Sequence, residues 1–270
     1  MDEFIGLCDQ QNCRIVICNA DDLSSPVWEW ASDDPAFINV SGLKMRRHKE
    51  FGTVVLVCAS RGFAGMISYD SKEILWQTRA EGNLHSIELL PNGNIAIAAS
   101  DGNFVRVYDS PDSYKEIRFS AAHGVLYDEE RDSLWALGEH SLIELNYKTL
   151  EPVGNEYNFK GLQRYGHDLA PYYGDTNLLW ITIFDAITLY DKKENCFKDS
   201  DPRLKHISHA HTKGIGNTPY TNRIFYIYPN GKAFPWCTDE IHIYDENGAH
   251  TLTSDTDAYY KLRIMCENYQ

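Results

Sequence analysis

The chain is short of positive charge, of long apolar runs and of helical periodicity, and each shortage removes a class of function. Its 25 Lys and Arg stand against 39 Asp and Glu, a net charge of −14 with a pI near 5.1. A surface of that sign repels phosphate backbones and anionic lipid, so neither nucleic acid nor membrane is expected as a partner. No stretch approaches the ~20 consecutive apolar residues that span a bilayer. The opening Met1-Asp2-Glu3-Phe4 lacks the basic and apolar regions of a secretory leader. The chain as given therefore reads as cytoplasmic, and as secreted only if a leader has been removed. There is no Gly-x-Ser-x-Gly elbow, phosphate-cradling glycine loop or zincin helix. That argues against the commonest hydrolases and kinases and leaves lyase chemistry open. The seven cysteines form no Cys-x-x-Cys pair. Cys8 and Cys18 lie in apolar runs, with Cys13 in the turn between them. They read as buried thiols in a reducing compartment, with a soft-metal or redox site as the alternative.

What the chain has is strands. Aromatics make up 13% of residues, 17 of them Tyr, which suits pleated, half-buried surfaces. The stretch Leu84–Leu90 is a short apolar run led by His85 and ended by Pro91-Asn92-Gly93. A second run, Ile95–Ser100, and a third, Phe104–Tyr108, follow across the turn Asp101-Gly102-Asn103, and Asp109 closes the unit. Turn residues between short apolar runs are the mark of antiparallel strands. The order recurs. Ser41, His85, His123, His167, Lys213 and Tyr260 lead equivalent strands, spaced 38 to 47 residues apart. Strand ends repeat as Tyr69-Asp70, Tyr108-Asp109, Tyr190-Asp191 and Tyr244-Asp245.

A four-stranded unit repeating at this interval predicts an all-β fold, a six-bladed β-propeller. The N-terminal unit has only three strands. Tyr259–Met265 is expected to supply its missing innermost strand, closing the first blade and removing an open edge. Residues 1–270 are read as one domain, with a longer insert, Pro229 to Asp239, between the second and third strands of the last blade. The basic run Arg46-Arg47-His48-Lys49 reads as a solvated hairpin end.

The stretches His85–Asn94, His123–Asp128 and His167–Tyr173, with the Tyr-Asp strand ends, resemble an uncharacterised family of bacterial six-bladed β-propellers, a domain of unknown function. The resemblance implies the fold and brings no activity. A looser similarity to WD-type repeats departs from their pattern, because Tyr stands where Trp would be.

In a propeller the first strand of each blade lines the central channel, so its start sits at one mouth of that channel. Ser41, His85, His123, His167, Lys213 and Tyr260 are therefore the candidate ligand-binding set. Turns opening on the same mouth add Arg61, Asp101, Asn103, Glu139, His140, Asp185 and Trp236. Aromatic, carboxylate and amide groups together line carbohydrate sites. Histidines on adjacent blades point also to a divalent metal, held by His85, His123, His167 and, through the Ser208-His209-Ala210-His211 pair, His211, with Asp168 or Glu88 nearby. The bland alternative is a set of histidines bonded to neighbouring backbone.

The expected function is a propeller with a histidine-rich site for a small polar ligand, a carbohydrate or sugar acid. A metal- or histidine-dependent polysaccharide lyase is one alternative, with His123, His167 or Tyr260 as the base. Propeller lyases such as oligogalacturonate lyase, which use a histidine-bound metal, are similar at the level of fold. A protein-interaction scaffold is the other alternative.

Overall fold

A computed structural model describes residues 2–159 and 165–270. Its strands form six four-stranded antiparallel sheets, the blades of a six-bladed β-propeller. The N-terminal strands are β1 (Phe4–Asp9), β2 (Arg14–Asn19) and β3 (Trp28–Ala31). The second sheet is β4 (Val40–His48), β5 (Gly52–Ala59), β6 (Phe63–Ser68) and β7 (Ile74–Arg79). The third is β8 (Leu84–Leu89), β9 (Ile95–Ala99), β10 (Phe104–Ser110) and β11 (Ser113–Arg118). The fourth is β12 (Gly124–Asp128), β13 (Ser133–Leu137), β14 (Ser141–Leu145) and β15 (Tyr157–Asn158). The fifth is β16 (Gly166–Pro171), β17 (Leu178–Ile183), β18 (Ile187–Asp191) and β19 (Cys196–Phe197). The sixth is β20 (Gly214–Asn217), β21 (Ile224–Ile227), β22 (Glu240–Asp245) and β23 (Gly248–Thr253). The last strand, β24 (Tyr259–Ile264), pairs antiparallel with β1 and completes the first sheet in the order β24-β1-β2-β3. Among the described residues two 3₁₀ turns, Pro35–Phe37 and Pro202–His206, interrupt the strands. No helix among the described residues is long and apolar enough to cross a membrane.

Burial grades across each sheet. Leading and middle strands such as β9, Ile-Ala-Ile-Ala-Ala, are buried throughout, whereas the outer β11, Ser-Tyr-Lys-Glu-Ile-Arg, is mostly exposed. Small residues in β9 let it pack on both faces. The turn after β8 needs its glycine: Gly93 adopts φ +88°, and its N–H donates to Leu90 O at 2.9 Å.

The chain divides into two compact units of three sheets each. One is drawn from Met1–Ala31, Phe159–Met265 and Gln270; it holds the first, fifth and sixth sheets. The other, drawn from Ser32–Asn158 and Cys266–Tyr269, holds the second, third and fourth. We call them the terminal unit and the central unit. In the central unit an apolar core runs from Val54 and Leu56 through Ile87 and Ile97 to Tyr108. In the terminal unit Trp180, Leu189, Ile207 and Ile215 share a core.

One expectation is corrected. Of the basic run at the end of β4, Arg47 is exposed but Arg46 is buried. Its guanidinium donates to both Glu88 oxygens (2.8 and 2.9 Å) and to the backbone oxygens of Cys266 and Asn268 (both 3.3 Å). A buried carboxylate on β8, the leading strand of the third sheet, draws it inward, so the hairpin end is only partly solvated.

Candidate functional site

The six strand-leading residues share one local geometry. Ser41 on β4, His85 on β8 and His167 on β16 are each an extra residue in the ladder, a β-bulge at the strand start. On β24 Tyr260 and Lys261 together oppose the single Cys8. Before β12 and β20 the leading residue does the same from outside the strand. His123 N–H donates to Leu137 O and Lys213 N–H to Ile227 O, the partners of Gly124 and Gly214 (both 2.8 Å). A bulge re-aims its side chain out of the regular alternation of faces.

In the central unit these residues pack against one another. Ser41 is buried; its hydroxyl donates to Leu84 O and, at 3.4 Å, to Cys58 O. It ties neighbouring strands. The His85 and His123 rings stack 4.4 Å apart, 21° from parallel. His123 Nδ1 lies 2.6 Å from Ala121 O. A carbonyl only accepts, so Nδ1 carries the proton of the neutral ring.

In the terminal unit the leading strands β16, β20 and β24 lie side by side and bring three polar groups together. His167 Nε2 is 3.0 Å from Lys213 Nζ and 3.3 Å from the Tyr260 hydroxyl. Lys213 also lies over the Tyr260 ring, 5.7 Å from its centre. No carboxylate pairs with Lys213 among the described residues. Burial, reinforced by the Lys261 charge, lowers its ammonium to a pKa of about 8.

Behind each set lies a buried charge cluster that sequence reasoning missed. Glu88 receives Lys44 Nζ at 2.8 Å and Arg46 Nε at 2.8 Å, both from β4. Asp168 receives Lys261 Nζ at 3.1 Å and Arg263 Nη1 at 2.6 Å, both from β24, and the Ile215 N–H at 3.2 Å. Burial would raise both carboxyls, but the paired cations outweigh it and hold Glu88 and Asp168 below the ordinary carboxylate range. Neither carboxylate is therefore open for a metal. The signal was present: Lys44-Met45-Arg46 and Lys261-Leu262-Arg263 place two cations on one face of a strand.

The turn residues divide. Arg61, Asp101, His140 and Asp185 are exposed at the tips between second and third strands. Asn103 accepts from Ala121 N–H (2.9 Å) and donates to Asp101 O (3.0 Å), and Glu139 accepts from the Ser120 hydroxyl (2.8 Å). The insert is different. Trp236, 42% exposed, stacks 4° from parallel on Phe234, with ring centres 5.6 Å apart. Its indole N–H donates to Gln10 Oε1 at 2.8 Å, and Gln10 N–H to Ala258 O at 2.9 Å. Thr238 and Tyr259 exchange backbone hydrogen bonds of 3.0 and 2.7 Å. The aromatic platform is thus anchored at the start of β24, beside Tyr260.

The His-x-His pair sits in the loop between Pro202–His206 and β20. His209 stacks on Tyr228 at 3.6 Å, while His211 meets the edge of Phe184 at 4.3 Å. The two rings have separate neighbours. No group of three or more His, Cys, Asp or Glu among the described residues is placed to hold a metal. No disulfide joins cysteines among the described residues, and Cys8, Cys18, Cys58 and Cys237 are buried.

The family described as "Family of unknown function (DUF6528)" matches residues 2–269. No curated protein matches the chain. A protein of unknown function from Bacteroides caccae is 12% identical with a TM-score of 0.68, covering 98% of this chain and 99% of that one. The WD40 β-propeller domain of Doa1 is 10% identical with a TM-score of 0.61, over 97% and 83% of the two chains. Virginiamycin B lyase from Staphylococcus aureus is 14% identical with a TM-score of 0.57, over 90% and 78%. Likeness at such identity speaks for the fold alone.

Proposed function

The chain belongs to the DUF6528 family of unknown function, and we propose that it binds a small carboxylate-bearing carbohydrate, a sugar acid, at the Lys213–His167–Tyr260 cluster. One observation carries this reading: Lys213 is a half-buried ammonium with no carboxylate partner among the described residues. Holding such a charge away from water without a counter-ion is costly. A ligand carboxylate supplies the missing charge through a charge-assisted hydrogen bond. His167 and Tyr260 add polar partners at the same point. The Phe234–Trp236 pair, anchored to the same strand start, offers a flat apolar surface for the C–H face of a sugar ring. A few placed polar groups beside an aromatic wall are the usual make-up of a small-molecule site.

The test is calorimetric titration and thermal melting with galacturonate and glucuronate against galactose and glucose. The acids are expected to bind and raise the melting temperature, and the neutral sugars to do neither. Lys213→Met should abolish the shift, and Trp236→Ala should weaken binding about tenfold, the loss of roughly 1.4 kcal/mol. Equal behaviour of acids and neutral sugars, or an unchanged shift in Lys213→Met, would overturn the reading.

A further inference from the structure

Lys213 has a capacity beyond its charge. An amine becomes a nucleophile when it is desolvated or placed beside another cation, because either effect favours the neutral form. Both conditions hold here. Lys213 is half-buried, and its pKa of about 8 owes to that burial first and to Lys261 second. Lys261 is fully buried and bound to Asp168, so it acts on a ligand only through its charge.

We propose that Lys213 forms an imine with a ligand that carries an aldehyde or ketone beside its carboxylate. This rests on the sugar-acid reading and narrows it to oxo acids, including sugar acids in open-chain form. The Nζ lone pair attacks the carbonyl carbon; the N–C bond forms and the carbonyl π pair moves to oxygen, which takes up a proton. The carbinolamine then loses that oxygen as water while the N=C bond forms. Both hydrogens of the neutral amine leave in that water, and nothing is oxidised or reduced. Proton movement needs donors and acceptors at the nitrogen. His167 Nε2 stands 3.0 Å from Nζ, and the Tyr260 hydroxyl stands 3.3 Å from the same imidazole nitrogen.

The titratable and charged groups around Nζ are His167 and Asp168 on β16, Tyr260, Lys261 and Arg263 on β24, and Cys237 from the insert. Burial pushes the Cys237 thiol up to about 12, so it stays neutral. Asp168 is spent on Lys261 and Arg263. Lys213 itself is then the group whose titration sets the rate.

The probe is glyoxylate with sodium cyanoborohydride, which reduces an imine to a stable carboxymethyl amine, followed by peptide mass mapping of the wild-type protein. At pH 7.5 Lys213 is expected to label at least about tenfold faster than the exposed Lys72 and Lys193, because a far larger fraction of it is neutral. The rate should level off above pH 8. Tyr260→Phe should slow labelling severalfold without lowering the melting temperature. If Lys213 labels no faster than Lys72 while galacturonate still shifts the melt through Lys213, the imine falls and the binding reading stands. Fast labelling of Lys213 without uronate binding keeps the imine and removes the sugar. Neither response overturns both.

Discussion

The central and terminal units solve one problem twice, and they differ in what is left over. Each buries a single carboxylate between a Lys and an Arg spaced two apart on a leading strand. In the central unit the cations lie on β4, next to Glu88 on β8. In the terminal unit they lie on β24 and reach Asp168 on β16 across β20. That reach depends on Gly214 and Gly216. A Cβ on Gly214 would sit 2.7 Å from the Leu262 nitrogen, and one on Gly216 2.8 Å from Ile264. The strand-leading residues differ as well. His85 and His123 spend their faces on each other, and Ser41 is committed to backbone. Lys213 adds a third cation that no carboxylate among the described residues pairs with. Two similar frameworks thus become a closed region and a region with a charge to offer, and that difference places the candidate site in the terminal unit.

The comparison can be broken at three points. The largest effect is expected from neutralising the buried acids. Asp168→Asn and Glu88→Gln each strand two buried cations, a loss of about 3–5 kcal/mol for a broken buried pair. Asp168→Asn should be the worse, because Lys213 is close enough to feel Lys261 and adds a third positive charge beside the stranded pair. Urea midpoints at constant slope measure both variants. An equal or reversed order would mean that the third cation does not act on the cluster. A middle effect is expected from Gly214→Ala, roughly 1–3 kcal/mol for overpacking against backbone. A loss near zero in the melt would show that β24 has room to move. The smallest and most specific effect concerns pH. The folded pKa of Lys213 lies below its unfolded value. Between about pH 8 and pH 10 the unfolded chain therefore holds more protons at this residue, and its contribution to stability rises with pH. Lys213→Met should be more stable than wild type at pH 7, with an excess that shrinks towards pH 10. An excess that is flat or grows with pH contradicts the assignment.

The repeat made the fold legible, because its signals are local: Pro91-Asn92-Gly93 ends a strand and Tyr-Asp closes a unit wherever they occur. The closing strand was legible because the N-terminal repeat has only three strands and a further strand, Tyr259–Met265, follows the sixth repeat. Outer strands such as β19 and β23 were not, since short, half-exposed segments carry little periodicity. The strand-leading residues were found by spacing alone. Their bulges were invisible, because a bulge is a property of two paired strands. Arg46 was misplaced for the same reason: a basic run after an apolar strand looks solvated until the facing strand is seen to carry Glu88. Which of the leading residues bears spare charge depends on partners such as Asp168 and Lys261, far apart in the chain.

The pairing of β24 with β1 sets an order of events during synthesis. β1 leaves the ribosome about 250 residues ahead of its partner β24. At about 5–20 residues per second it waits on the order of tens of seconds. Throughout that wait one side of β1 lacks its strand, and Asp168, once made, lacks both of its cations until β24 follows. The terminal unit cannot mature as the chain grows, whereas all three sheets of the central unit are already present in full. A pause, a chaperone or a nearby identical chain would act on the nascent protein at that open edge, and a strand borrowed from a neighbouring copy would be the natural error.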